Sequence, residues 1–108
     1  MKLSHLIAAA VAGLALTGGA HAAVDAAKAQ SIIKGSDCAA CHALDMKLVG
    51  PSYKDVAKKY KGDAGAVAML VKKVKAGGSG NWGAIPMTPH PNLKDDDVKT
   101  VVEWILSH

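Results

Sequence analysis

The sequence predicts an all-α domain of four to five short helices. Two apolar stripes carry the helical part of that expectation. Val67, Leu70, Val71 and Val74, and again Val98, Val101, Val102 and Ile105, repeat at i, i+3, i+4 and i+7, which places them on one helical face. Punctuation suited to helix ends brackets both stripes, with Asp63 before and Gly77-Gly78 after the first, and Asp95-Asp96-Asp97 at the head of the second. The third observation is Cys38-Ala39-Ala40-Cys41-His42, the C-x-x-C-H signature of c-type haem attachment. Each thiol adds to one vinyl group of the same porphyrin, so both sulfurs must lie on one side of a short turn. The histidine that follows sits under the ring centre, where an imidazole nitrogen binds iron. The helices are therefore expected to wrap around one covalently bound haem c.

Taken in order, the chain opens on a secretory signature. Met1-Lys2 is positive, Leu6 to Leu16 is an apolar run, and Ala20-His21-Ala22 has the small-x-small form of a cleavage site. A spanning helix needs about 20 apolar residues, so residues 1–22 read as a cleaved signal peptide and residues 23–108 as the exported domain. Asp25 is suited to cap a first helix from Ala26 to about Lys34, with Ile32 and Ile33 turned toward the last helix. Gly35 leads from it into the haem motif. Tyr53 to Tyr60 reads as a short helix with Val56 and Ala57 inward, and Asp63 as the cap of the next. Asp95 begins the last helix, to which Trp104 adds bulk.

Composition is consistent with a domain built around a cofactor. Half of the 108 residues are hydrophobic, but Ala and Val dominate, Phe is absent, and Tyr53, Tyr60, Trp82 and Trp104 are the only large aromatics. A domain of this size buries a small fraction of its surface, and a porphyrin would add apolar bulk. The formal charge is +4, from lysines without a single arginine, and loss of Lys2 with the leader lowers it by one. No basic run, aromatic platform or binding motif points to nucleic acid.

Several residues have a bland and a sharp reading. Gly50-Pro51 is either a turn before a helix or a carbonyl offered to the imidazole N–H of His42, as partners of metal-bound histidines do. Met46 lies too near His42 to reach the opposite face of a porphyrin, and Met69 falls inside a helix, so both read as packing or surface. Residues 77–92 form an irregular stretch of a length that is often functional. Within it, Pro86 and Pro89 stiffen the chain around Met87, which is read as the second axial ligand. Trp82 is either core or an indole donor to a buried propionate.

The four segments Cys38–His42, Val49-Gly50-Pro51-Ser52-Tyr53-Lys54-Asp55-Val56, Trp82-Gly83-Ala84-Ile85-Pro86-Met87 and Glu103-Trp104-Ile105-Leu106-Ser107 together resemble small bacterial class I cytochromes c of the c-551 type. The resemblance runs over nearly all of Ala23 to His108. It implies the class I cytochrome c fold, thioether links at Cys38 and Cys41, and His42 and Met87 as axial iron ligands. It implies further that the Pro51 carbonyl orients His42, that Trp82 donates to a propionate, and that Lys73 stands where many members carry a propionate-binding arginine. Where relatives often read Met-Pro-Pro-Asn, with the asparagine helping to orient the methionine, this chain reads Met87-Thr88-Pro89-His90. His90 is expected at the surface or beside the ligand, with replacement of Met87 on iron as the alternative.

The function this implies is that of an electron carrier and not an enzyme: a soluble periplasmic monomer passing single electrons between respiratory redox proteins through transient contacts, without stable membrane insertion. A quinol-oxidising complex upstream and a terminal oxidase or nitrite reductase downstream are typical for the family. Lys47, Lys58, Lys59, Lys72, Lys73 and Lys75 are candidates for steering acidic partners or are simply solvated. Three rivals stay open on the residues alone. A peroxidase or ligand sensor needs an open sixth position on iron, a thiol–disulfide exchanger needs free Cys38 and Cys41, and a structural zinc site needs a fourth ligand.

Overall fold

Five helices follow one another in the computed structural model, which describes residues 24–108. They are α1 (Ala26–Gly35), α2 (Cys38–Cys41), α3 (Tyr53–Lys59), α4 (Ala66–Ala76) and α5 (Asp95–Leu106). The signal peptide expected over residues 1–22 lies outside the described residues. Among the described residues there is no strand, only isolated antiparallel bridges pairing His42 with Lys47 and Gly78 with Met87. No described helix is long and apolar enough to cross a membrane.

Helix ends follow local chemistry, with one departure from expectation. Asp25 caps α1 by accepting from the Lys28 N–H at 2.9 Å. Ser52 does the same for α3 through the Asp55 N–H at 3.1 Å, a cap the sequence reading passed over. Asp63, expected to cap α4, instead accepts from the N–H of Gly65 two residues on, at 2.8 Å, and Gly65 occupies the cap position. A short carboxylate reaches its own backbone two residues away more readily than a helix start, and this closes a turn. Gly77 ends α4 with φ +68 and ψ −157, backbone that side chains with a Cβ avoid.

α5 is the spine. Its Val101 joins Ala29, Ile33 and Tyr53 in one apolar cluster, with Trp104 packed alongside. Val98 and Val102 join Val56 and Leu70 in a second. One helix serves α1, α3 and α4 together because residues three and four apart share a face while that face wraps the helix slowly. A Lys28–Asp97 ion pair at 3.4 Å adds a link between α1 and α5. Val98 is 1% exposed. Val98→Ala removes two methyl groups, worth roughly 0.8 kcal/mol each, and leaves a cavity, so it should destabilise the holoprotein by about 2–3 kcal/mol. Denaturant unfolding beside the exposed control Lys99→Ala, expected within about 0.5 kcal/mol of the parent, checks this; equal midpoints would refute it.

Candidate haem site

The motif turn is a single helical turn. In α2 the His42 N–H donates to the Cys38 carbonyl at 2.9 Å, which closes the turn and brings both half-buried thiols to it. Cys38 and Cys41 are not joined to each other in a disulfide. Among the described residues no group of three or more His, Cys, Asp or Glu side chains converges as ligands of a metal ion do.

The chain from Cys41 to Tyr53 is folded back to hold the imidazole. Gly50 N–H donates to the Cys41 carbonyl at 2.7 Å, and the Tyr53 and Lys54 N–H groups reach the carbonyls of Ala43 and Leu44 at 2.9 and 3.1 Å. His42 Nδ1 lies 2.7 Å from the Pro51 carbonyl. A carbonyl only accepts, so Nδ1 carries a proton and donates, which in the neutral ring leaves Nε2 with its lone pair. Of the two readings of Gly50-Pro51, this geometry is the sharper one. A Cβ on Gly50 would fall 2.5 Å from Cε1 and 2.9 Å from Nδ1 of the same ring, so the imidazole rests against bare backbone. Tyr53 stacks on its ring with centroids 5.5 Å apart.

His42 opens on a cleft of about 560 Å³, within the roughly 300–1,000 Å³ range of small-molecule sites. Leu70, Val74, Val101, Val102 and Ile105 give it an apolar wall, and Cys38, Cys41, Pro51, Lys73, Trp82 and Met87 line it as well. All seven sequence-predicted site residues, separated by up to 49 positions, therefore border one cavity. Of the two stripes, Leu70 and Val74 of α4 and Val101, Val102 and Ile105 of α5 reach the cleft, whereas Val67, Val71 and Val98 do not line it. Tyr53 also lines it, and its buried hydroxyl has no partner among the described residues. Burial raises that phenol's pKa above its ordinary value, keeping it neutral and a donor. An apolar slot with two thiols at its mouth, a pre-oriented imidazole and an unpaired donor fits a porphyrin with polar edge groups.

Residues 77–92 are irregular throughout, as expected, but they are pinned. Gly78 and Met87 exchange both backbone hydrogen bonds, at 3.0 and 2.9 Å. Gly77 allows this approach, since a Cβ there would meet the Met87 carbonyl oxygen at 2.5 Å and the Pro89 nitrogen at 2.8 Å. Trp82 is 42% exposed and lies outside both apolar clusters, on the lining of the cleft. Lys59 Nζ sits 4.4 Å from its ring centroid and donates to the Asn81 carbonyl at 2.7 Å. Lys73 is half-buried, near the bare Cα of Gly78. Met46 is 61% exposed, in keeping with a residue outside the site.

Sequence reasoning missed Asp37 altogether, and read Lys59 as a steering charge or a solvated one without its contacts to Trp82 and Asn81. Asp37 pairs with His90 Nε2, and the hydrogen bond from that imidazole lowers the carboxyl's pKa below the ordinary value. Nothing local announces a partner 53 positions away. His90 is therefore held beside Asp37.

Fold and site together define an all-α domain organised around a cleft for a covalently attached haem. The cytochrome c family model matches residues 26–108, and the chain belongs to that family, as a small class I cytochrome c of the c-551 type. It is 52% identical over 79 residues to cytochrome c-551 of Azotobacter vinelandii, covering 73% of this chain and 95% of that one. Over 107 residues it is 41% identical to cytochrome c-552 of Nitrosomonas europaea, covering 99% and 98%. The crystal structure of wild-type Nitrosomonas europaea cytochrome c552 superposes with a TM-score of 0.69 at 44% identity, covering 72% of this chain and 96% of that one. The chain is accordingly an electron-carrying cytochrome with one covalently bound haem c, and not an enzyme.

Proposed function

We propose that the chain is a soluble periplasmic monohaem cytochrome that relays single electrons between respiratory redox proteins, in the manner of a carrier between a quinol-oxidising complex and a terminal oxidase or nitrite reductase. In this reading Cys38 and Cys41 hold the haem by thioether bonds, and His42 and Met87 are the axial ligands. The observation that carries it is the 2.7 Å contact of His42 Nδ1 with the Pro51 carbonyl, which orients the ring and keeps Nε2 available at a cleft that Met87 also lines. When bound, the haem supplies a ferric–ferrous couple, and methionine–histidine ligation leaves no open position on iron.

The remaining residues hold and present that centre. In this reading Trp82 and Lys73, which line the cleft, donate to propionates, the lysine as a point charge without the planar fork of an arginine. Ile85, 66% exposed, and the neighbouring Val49 and Trp82 leave an apolar margin to the cleft, and lysines including Lys47, Lys58 and Lys59 are exposed. Such an arrangement suits brief docking steered by charge. Residues 1–22 act in this reading as a cleaved export signal, supported by the positive start, the apolar run and the small-x-small site of the leader.

A pyridine haemochrome spectrum of the exported protein should show one haem c per chain, and its intact mass should correspond to a polypeptide starting at Ala23 plus haem. A colourless protein with two free thiols would overturn the reading. Electron-transfer rates with acidic redox proteins should fall several-fold as salt rises from about 0.01 to 0.15 M, because the screening length drops from roughly 30 to 8 Å. Rates indifferent to salt would remove the steering role of the lysines.

A further inference from the structure

The Asp37–His90 pair stands between the two halves of the site. Asp37 immediately precedes Cys38, and its carbonyl accepts from the Ala40 N–H at 3.0 Å, so it belongs to the attachment turn. His90 lies three residues beyond Met87. Its N–H is shared between the Val74 and Lys75 carbonyls at 3.1 and 3.2 Å, which ties its backbone to the last turn of α4. Its side chain is only 12% exposed although it reaches an exposed carboxylate. Both residues line the cleft.

The hydrogen bonds divide accordingly. Residues 36–51 are bonded among themselves and to α1 and α3, and residues 77–92 to α4 and, through Lys59, to α3. Among the described residues, Asp37 with His90 is the one hydrogen bond that runs directly from the first segment to the second. The Met87 backbone is thus anchored to α4, while its distance from the turn that carries Cys38, Cys41 and His42 is bridged by this pair.

We propose that Asp37 and His90 form a clasp that sets the spacing between the attachment turn and the Met87 loop, making both of them positioning residues for Met87. The inference rests on the reading of Met87 as axial ligand. The imidazole is suited to the task because it is rigid and spans the gap with one ring, and the ionised carboxylate of Asp37 makes the bond charge-assisted. Without the clasp the loop keeps its anchors on α4 but gains freedom to swing away from the turn, and an external ligand then competes more easily with the thioether.

The test uses the ferric holoprotein titrated with imidazole, following the sulfur-to-iron charge-transfer absorption that methionine ligation produces. Asp37→Ala and His90→Ala should each raise the apparent imidazole affinity about tenfold, the scale of one charge-assisted hydrogen bond. The double variant should be no worse than either single one, since the pair acts as a unit. His90→Gln, whose amide nitrogen replaces Nε2 as a donor, should retain most of the parent behaviour. If either alanine variant yields no holoprotein, Asp37→Asn and His90→Gln carry the comparison, with Asp37→Asn expected to fall between parent and Asp37→Ala. Single variants within twofold of the parent, or effects that simply add in the double variant, would overturn the clasp. Absence of the charge-transfer absorption in the parent protein would overturn Met87 ligation itself.

Discussion

Gly77→Ala should destabilise the holoprotein by about 4 kcal/mol, a large loss for one added methyl group. Two costs combine. Backbone at φ +68 and ψ −157 is nearly confined to glycine, and forcing alanine into it costs roughly 1–3 kcal/mol. The added Cβ would also lie 2.5 Å from the Met87 carbonyl and 2.8 Å from the Pro89 nitrogen. Those are backbone atoms without rotamers to escape into, and overlap of this kind costs roughly another 1–3 kcal/mol. Against a total stability of about 5–15 kcal/mol for a small domain, that is a large share. Gly80→Ala is the informative control: φ there is +114, but no atom lies within 4 Å of the new methyl group. It should show the backbone cost alone. Equal melting temperatures for the two variants would mean that the close approach of Gly77 to the Met87 segment contributes nothing.

Met87→Ala should change the iron centre more than the fold. Met87 is half-buried at the edge of the cleft, outside both apolar clusters, so its side chain adds little to the core. On iron its loss is large: the sulfur-to-iron absorption of the ferric protein should vanish, and the ferrous protein should bind carbon monoxide rapidly at neutral pH. The reduction potential should fall by on the order of 0.1 V or more, within the ~0.8 V that axial ligation spans. A Met87→Ala protein that keeps the absorption and refuses carbon monoxide would show that another side chain closes the sixth position. His90 is the residue to examine next, and its tie to Asp37 makes that outcome unexpected.

Stripes and motifs in the sequence were legible because their logic is local. Val98, Val101 and Val102 had to share a face whatever they packed against, and they are buried as that spacing requires. Helix starts were less secure. Asp63 has the chemistry of a cap, but a carboxylate two residues from a free N–H closes a turn first. Trp82 was ambiguous in sequence because a tryptophan satisfies either a core or a surface role. Its place at the cleft, under the ammonium of Lys59, depends on where α3 ends relative to the loop.

By itself the sequence determined that two thiols and an imidazole share one turn, that the helices carry apolar faces, and that a stiffened methionine lies downstream. Spacing along a chain is enough for those, since covalent geometry and helical period act over a few residues. Tertiary structure alone decided that Gly50 is the bare surface on which the His42 ring rests, that Gly77 admits the Met87 segment to the end of α4, and that Asp37 meets His90 across the cleft. Those contacts join positions from 8 to 53 apart in sequence, and which distant groups meet is settled by how α1, α3 and α4 pack on α5.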